Sequence, residues 1–253
     1  MSHGPDRAPD TAAQRFFFVH VMKTAGTTFV RQLRRQFPDE AIYPCPGLDW
    51  TAPTDVEAYI NVPRLLAVPP ARRSQIQVFT GHFPFMARDL LDPQLVTLTV
   101  LREPVARTIS ILKQCKRRED RFRDATLEEV YDDRRTYRFF VENHQTKVFA
   151  LAPEDNEVAV NCGLTIDDAR FARACENLER VDVVGLTERY DDFVGAVRER
   201  FGWWPEGVDL DERANVSGGD ATVRTAFRER ILADNAYDVR FYELARRIVD
   251  ARG

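Results

Sequence analysis

The sequence predicts an α/β fold, a single domain of three layers (α/β/α) in which helices cover both faces of a central, mostly parallel sheet. Two stretches carry most of that inference: residues 16–29 and 95–110 each pass from strand-forming residues through a polar turn into an amphipathic run. Further strand-like segments alternate with segments of helical spacing, the pattern of βα units. A chain of 253 residues, 44% apolar and 11% aromatic, can bury a substantial core, and no long hydrophilic tract divides it.

Residues 1–15 hold Gly, Pro and Asp but little apolar content, and read as a disordered leader to a domain spanning 16–253. Phe16-Phe17-Phe18-Val19 suits a short strand buried on both faces, and a helix over 27–37 follows. Residues 38–74 contain seven prolines and no clear period, so mostly loop is expected, with one short helix at 55–60. A strand at 75–80 ends in Gly81-His82. Another, at 95–101, leads to Pro104, where a first helical turn tolerates proline, and Val105, Ile109 and Leu112 then recur at helical spacing. Helices are expected over 127–133 and 137–150. Thr165, Asp167 and Asp168 bring N-cap chemistry to a helix over 166–178. A fourth strand at 181–186, a helix over 190–201, a glycine-bearing loop over 202–220 and closing helices over 222–233 and 236–251 complete the chain. Trp203 and Trp204 read as core aromatics, with stacking on a ligand ring the alternative.

The chemistry of the first junction follows from its position ahead of a helix. The first amides of a helix lack intrahelical partners and point, with the positive end of the dipole, at whatever occupies the preceding loop. In His20-Val21-Met22-Lys23-Thr24-Ala25-Gly26-Thr27-Thr28, Gly26 permits a tight turn, the threonines bring hydroxyls and Lys23 brings a positive charge, so an anion is the expected occupant. A Walker A loop places its lysine after the last glycine, whereas Lys23 precedes Gly26. The stretch instead resembles the 5′-phosphosulfate loop of the carbohydrate sulfotransferase families, of the heparan sulfate 2-O and 6-O type, whose cofactor is 3′-phosphoadenosine 5′-phosphosulfate (PAPS). The second junction presents Arg102 at its strand end and Ser110 eight residues later, about two helical turns on and on roughly the same face. That pair is similar to the 3′-phosphate site of the same families.

The resemblance implies that Lys23, Thr24, Ala25, Gly26, Thr27 and Thr28 cradle the 5′-phosphosulfate, and that Arg102 and Ser110 hold the 3′-phosphate. Asn215 and Ser217, within Asn215-Val216-Ser217-Gly218-Gly219, resemble the late loop that folds over the PAPS phosphates. His82 stands at the carboxyl end of a strand, the edge on which open α/β sheets bind ligands. It matches the histidine that deprotonates the acceptor hydroxyl in these families; a histidine that merely caps a strand end is the alternative. Asn143-His144-Gln145-Thr146-Lys147 resembles an Asn-x-Gln-Thr-Lys/Arg segment of the families, and Asn143, Gln145 and Lys147 either support the acceptor or pack. Six cations in residues 113–123 either line an anionic acceptor or the cofactor mouth, or form a solvated helix end. Residues 184–189 look like the families' late strand, beside the cofactor.

Thirty-six basic residues against 40 acidic argue against nucleic acid as a partner. No stretch approaches the ~20 apolar residues that span a bilayer, and residues 1–14 lack a signal-peptide core, so a cytoplasmic protein is expected. Animal members of the resembled families are usually Golgi membrane proteins, so the missing anchor suggests a bacterial member; only four of the 36 basic residues are lysine, which hints at a GC-rich genome. Cys45, Cys115, Cys162 and Cys175 show no CxxC pairing and read as free thiols, and no metal site is expected. The expected activity is transfer of the sulfuryl group of PAPS to a hydroxyl of a carbohydrate, glycolipid or glycosylated small molecule, leaving adenosine 3′,5′-bisphosphate. Lys23 would stabilise the leaving phosphate and His82 would take the proton. The alternatives are a P-loop nucleotide kinase or NTPase, which would want a magnesium ligand near where Arg102 stands, and a nucleotide-binding protein without chemistry.

Overall fold

A computed structural model describes residues 14–45, 53–155, 164–205, 210 and 224–252. Five strands, β1 (Phe16–Val19), β2 (Ile42–Tyr43), β3 (Val78–Phe79), β4 (Val96–Leu101) and β5 (Val183–Leu186), form one sheet in the order β2-β3-β1-β4-β5. Every pairing is parallel, and Phe16 stands opposite Val78 on one side and Val96 on the other. The first half of the chain adds α1 (Gly26–Gln36), α2 (Pro53–Ile60), α3 (Val62–Leu66), α4 (Pro70–Arg73), α5 (Met86–Leu91) and α6 (Pro104–Arg118). Next come α7 (Leu127–Asp132), α8 (Arg134–Thr136), a π-helical turn over Tyr137–Val141, and α9 (His144–Ala150). The last are α10 (Asp168–Glu179), α11 (Tyr190–Phe201), α12 (Thr225–Asp234) and α13 (Ala236–Arg252).

The expected three layers follow from β1 itself, because successive strand side chains point to opposite faces. Phe16 and Phe18 enter a cluster with Phe29 and Leu33 of α1, Phe193 and Val197 of α11, and the indoles of Trp203 and Trp204. Phe17 and Val19 enter another, with Phe149 of α9, Leu178 of α10 and Phe241 of α13. All four β1 residues are fully buried, so the strand has no solvent face. Trp204 donates its indole N–H to the Gln32 carbonyl at 2.9 Å and the Trp203 ring sits 4.7 Å from that of Phe16, so both tryptophans are core. A smaller cluster of Ile109, Leu112, Tyr131, Phe227 and Ile231 holds α6 against α7 and α12.

Several elements differ from the expectation. Residues 38–74, expected to be mostly loop with one short helix at 55–60, contain that helix as α2 and also β2, α3 and α4; prolines at the starts of α2 and α4 and early in α3 begin these helices rather than break them. With β2 added, the strand at 183–186 is the fifth rather than the fourth. The helix α5 was not expected. The continuous helix expected over 137–150 is interrupted at Asn143, whose φ of 43° is left-handed. Asn tolerates that region, and its side chain is bonded in place there: its Oδ1 accepts from the Asp238 N–H at 3.1 Å. Arg15, placed by sequence in the leader, donates to the carbonyls of Ile76 and Arg73; residues 1–13 lie outside the described residues. Cys45, Cys115 and Cys175 are free thiols, and Cys162 lies outside the described residues. No described helix is long and apolar enough to cross a membrane.

Strand order positions the site. From β1 the chain leaves toward β2 on one side, and from β4 toward β5 on the other, so the carboxyl ends of β1 and β4 flank a topological switch point. Open parallel sheets bind ligands in the crevice such a reversal opens. The buried Phe29 anchors the helix that rises from it, with ring contacts at 4.6 Å to Phe18 and 5.0 Å to Phe193. Phe29→Ala is expected to cost about 3–5 kcal/mol, read as a lowered urea midpoint with an unchanged slope.

Candidate active site

The crevice between β1 and β4 gathers most of the residues singled out by sequence. After β1 the chain turns through two left-handed residues, Lys23 (φ 70°) and Ala25 (φ 68°), before α1 begins at Gly26. Backbone amides arranged by such alternation form an anion-binding concavity, and the α1 amides continue it. Thr24 closes the turn by donating its buried hydroxyl to the Val21 carbonyl at 2.9 Å, so that hydroxyl shapes the loop rather than facing a ligand. Thr27 is exposed and Thr28 buried. Gly26 is required by packing: a β-carbon there would lie 2.0 Å from Cδ2 of the buried His20 ring.

Lys23 donates its ammonium to Gln114 Oε1 on α6 at 2.8 Å. Arg102, one residue past β4, reaches back to the Lys23 carbonyl at 3.3 Å, while its Nε is buried without a partner. Ser110 is buried on α6, four residues before Gln114 and so on the same helical face. Continuing that face, Arg117 and Arg118 end the helix. Burial first, and then Arg117, Arg118, Arg102 and Arg107, push Lys23 down to about 8. Four guanidiniums thus crowd one ammonium, and of these Arg107 also feels the buried Asp238 carboxylate.

The N-terminus of α6 is closed to ligands. Glu103 caps it, accepting from the amides of Val105 at 3.1 Å and Ala106 at 2.6 Å. At this junction, then, the Arg102 side chain and not the helix end is what is available to an anion. A second carboxylate stands at this junction: Glu188 Oε1 accepts from the Glu103 N–H at 3.2 Å.

His82 follows β3. Gly81, at φ 129°, makes the turn; a β-carbon there would meet Phe83 Cε2 at 2.7 Å and the Tyr59 carbonyl at 2.9 Å. The His82 Nδ1 lies 2.8 Å from the His20 carbonyl oxygen. A carbonyl only accepts, so Nδ1 carries the proton and Nε2 is the basic nitrogen. Burial lowers the His82 pKa, the His20 carbonyl opposes this, and Lys23 and Arg118 lower it further. The ring is therefore neutral around pH 7, in the tautomer a general base needs. The rings of His20 and His82 are 4.4 Å apart, and burial drives His20 well below its ordinary value too.

Asn143, Gln145 and Lys147 are buried, and their polar groups face the protein. Lys147 pairs with Glu142 at 2.8 Å, and Gln145 bonds to the Arg102 backbone. Of the basic run, Arg121 pairs with Glu119 and Asp133, Arg123 with Asp120, and Lys116 with the Ala125 carbonyl. Asn215 and Ser217 lie outside the described residues. The sequence reading missed Gln114, although its place four residues after Ser110 signals the shared face. It also gave no role to His20, whose carbonyl fixes the His82 tautomer. Among the described residues, no group of three or more His, Cys, Asp or Glu is arranged to hold a metal.

No protein-family model matches the chain, and no curated protein matches it. Among solved structures, the chain is similar to a sulfotransferase from Alicyclobacillus acidocaldarius, with 21% identity, 91% of this chain and 95% of that chain covered, and a TM-score of 0.47.

With only four lysines in the chain, the charge state of Lys23 is directly accessible. Amine acetylation followed by mass spectrometry is expected to modify Lys23 with a midpoint near pH 8, where an unperturbed lysine side chain responds at about 10.4. A Lys23 midpoint above 10 would mean that the cations do not crowd it.

Proposed function

We propose that the chain is a sulfotransferase that uses PAPS and acts on a hydroxyl-bearing acceptor. The observation that carries the reading is the cluster of cations around Lys23 at the switch point, with a neutral, tautomer-fixed histidine beside it. The fit to the cofactor rests on two features: the buried Arg102 Nε has no partner among the described residues, and Lys23 is held down to about 8 by burial and then by positive neighbours. A doubly phosphorylated anion answers both. The left-handed turn, the α1 amides and Lys23 would hold the 5′-phosphosulfate, and Arg102 with Ser110 the 3′-phosphate. A glycan, glycolipid or glycosylated small molecule is the proposed acceptor, on the strength of the motif resemblance.

Bound there, PAPS supplies an activated sulfuryl group on a phosphate leaving group. His82 Nε2 would take the proton of the acceptor hydroxyl, and Lys23, still protonated near neutral pH, would hold the phosphate end of the donor and stabilise negative charge there. His20 keeps the base oriented through its carbonyl.

The first test is thermal unfolding with adenosine 3′,5′-bisphosphate, compared with ADP and with ATP plus Mg²⁺. At 100 times its dissociation constant the bisphosphate should add about 2.7 kcal/mol, a shift of several degrees that is lost in Lys23→Ala. Stabilisation by ATP with Mg²⁺ alone would favour a nucleotide kinase instead. Binding should also draw in protons: a bound anion raises Lys23 from about 8, so uptake approaching half a proton is expected at pH 8 and little at pH 6.5. Titration calorimetry in buffers of different ionisation enthalpy reads this directly.

The second test addresses the base. His82→Ala should preserve bisphosphate binding and lower turnover by about 10²- to 10⁴-fold. In the parent, because the His82 pKa is lowered from 6.5, the acid limb of the rate profile should have its midpoint below 6.5. Unchanged turnover in the variant would remove His82 from the mechanism.

A further inference from the structure

The Gln145 side chain forms an unusual joint. In the β4–β5 ladder the last pair is Leu101 with Leu186, so Arg102 is the first residue beyond it. Its backbone groups are taken up by one buried amide: Gln145 Oε1 accepts from the Arg102 N–H at 3.0 Å, and Gln145 Nε2 donates to the Arg102 carbonyl at 2.8 Å. A side-chain amide carries the same donor and acceptor as a peptide unit, so Gln145 extends the sheet by one residue on behalf of Arg102. The guanidinium beyond this splint is anchored at its other end on the Lys23 carbonyl.

Gln145 is itself held from α13. Asp238, buried, accepts from the amide of Gln145 at 3.2 Å and from the amide and hydroxyl of Thr146, each at 2.8 Å. The Asp238 amide donates back to Asn143 Oδ1, and the Asn143 amide donates to Asn235 Oδ1 at 2.8 Å. The left-handed turn at Asn143 is what sets α9 against Asp238 and brings Gln145 to the end of β4. A buried polar network with its members paired is rigid, and breaking one member leaves others unpaired.

We propose that Gln145, clamped by Asp238 at the start of α9, is the positioning residue that fixes Arg102 and thereby sets the preference for nucleotides that carry a second phosphate. This rests on the reading of Arg102 as a 3′-phosphate ligand. Gln145 lies behind the Arg102 backbone and acts through it, so its loss should weaken the contact of one phosphate and leave the other.

The test compares the affinities of adenosine 3′,5′-bisphosphate and 5′-AMP by titration calorimetry. In the wild type the bisphosphate should bind more tightly. Gln145→Met keeps the side-chain length and removes both hydrogen bonds; it should weaken the bisphosphate by about 10- to 100-fold, the usual toll of displacing a positioned group, and leave AMP essentially as in the wild type. Gln145→Glu retains the acceptor for the Arg102 N–H and should fall between the two. Equal weakening of both ligands, or of neither, would overturn the inference and make Gln145 a packing residue. A wild type without preference for the bisphosphate would instead sink the 3′-phosphate reading itself. If Gln145→Met fails to fold, Asp238→Asn, which removes one acceptor from the start of α9, carries the same comparison. Unchanged selectivity in both Asp238→Asn and Gln145→Glu would overturn the inference.

Discussion

Positive charge gathered around one half-buried lysine is the constraint on which this structure turns. Lys23 is pressed by burial and then by Arg117, Arg118, Arg102 and Arg107, and its ammonium donates to the neutral Gln114 oxygen. A lysine whose folded value lies near 8, against 10.5 for the free side chain, opposes folding while it is charged, below about pH 8. That cost fades as pH rises towards 10.5. The scaffold around Lys23 is stiff: a strand buried on both faces, a helix pinned by aromatic contacts, and a glycine wedged beneath a histidine ring.

The polar groups nearest the crevice divide into those that build it and those left to act. Thr24, Glu103, Gln145 and Asp238 are committed to backbone groups. Arg107 belongs with them: fully buried, it donates to the Phe140 carbonyl at 2.6 Å, and burial brings it down to about 10. Lys23, the Arg102 guanidinium and His82 stand beside them, bonded to Gln114, the Lys23 carbonyl and the His20 carbonyl respectively.

The sequence showed the sheet and the site unequally. Both strand-to-helix junctions were legible because each compresses its chemistry into fewer than 20 residues, with strand, turn and helix signals in order. The short β2 was not, since two residues carry no period, and the prolines between 38 and 74 read as breakers although three begin or sit early in helices. The break at Asn143 was hidden because apolar spacing runs through it, and only tertiary bonds to Asn235 and Asp238, over 90 residues away, hold the left-handed turn. For the same reason Gln145 was seen as part of a motif without a role. Its partner is a backbone, and backbones leave no mark in a sequence.

The strand order has a consequence for how the chain comes into being. β1 is the first of the five strands to be synthesised, yet both of its neighbours arrive later, β3 some 60 residues on and β4 about 80. At roughly 5–20 residues per second, Phe16-Phe17-Phe18-Val19 waits about 4–16 seconds for β4 to follow it out of the ribosome. During that interval this apolar segment lacks its longest partner strand, and Arg15, just ahead of it, is the nearest charge that can keep it from pairing with another nascent chain. The centre of the sheet is thus completed well after its first strand is made, with β5 the last to join.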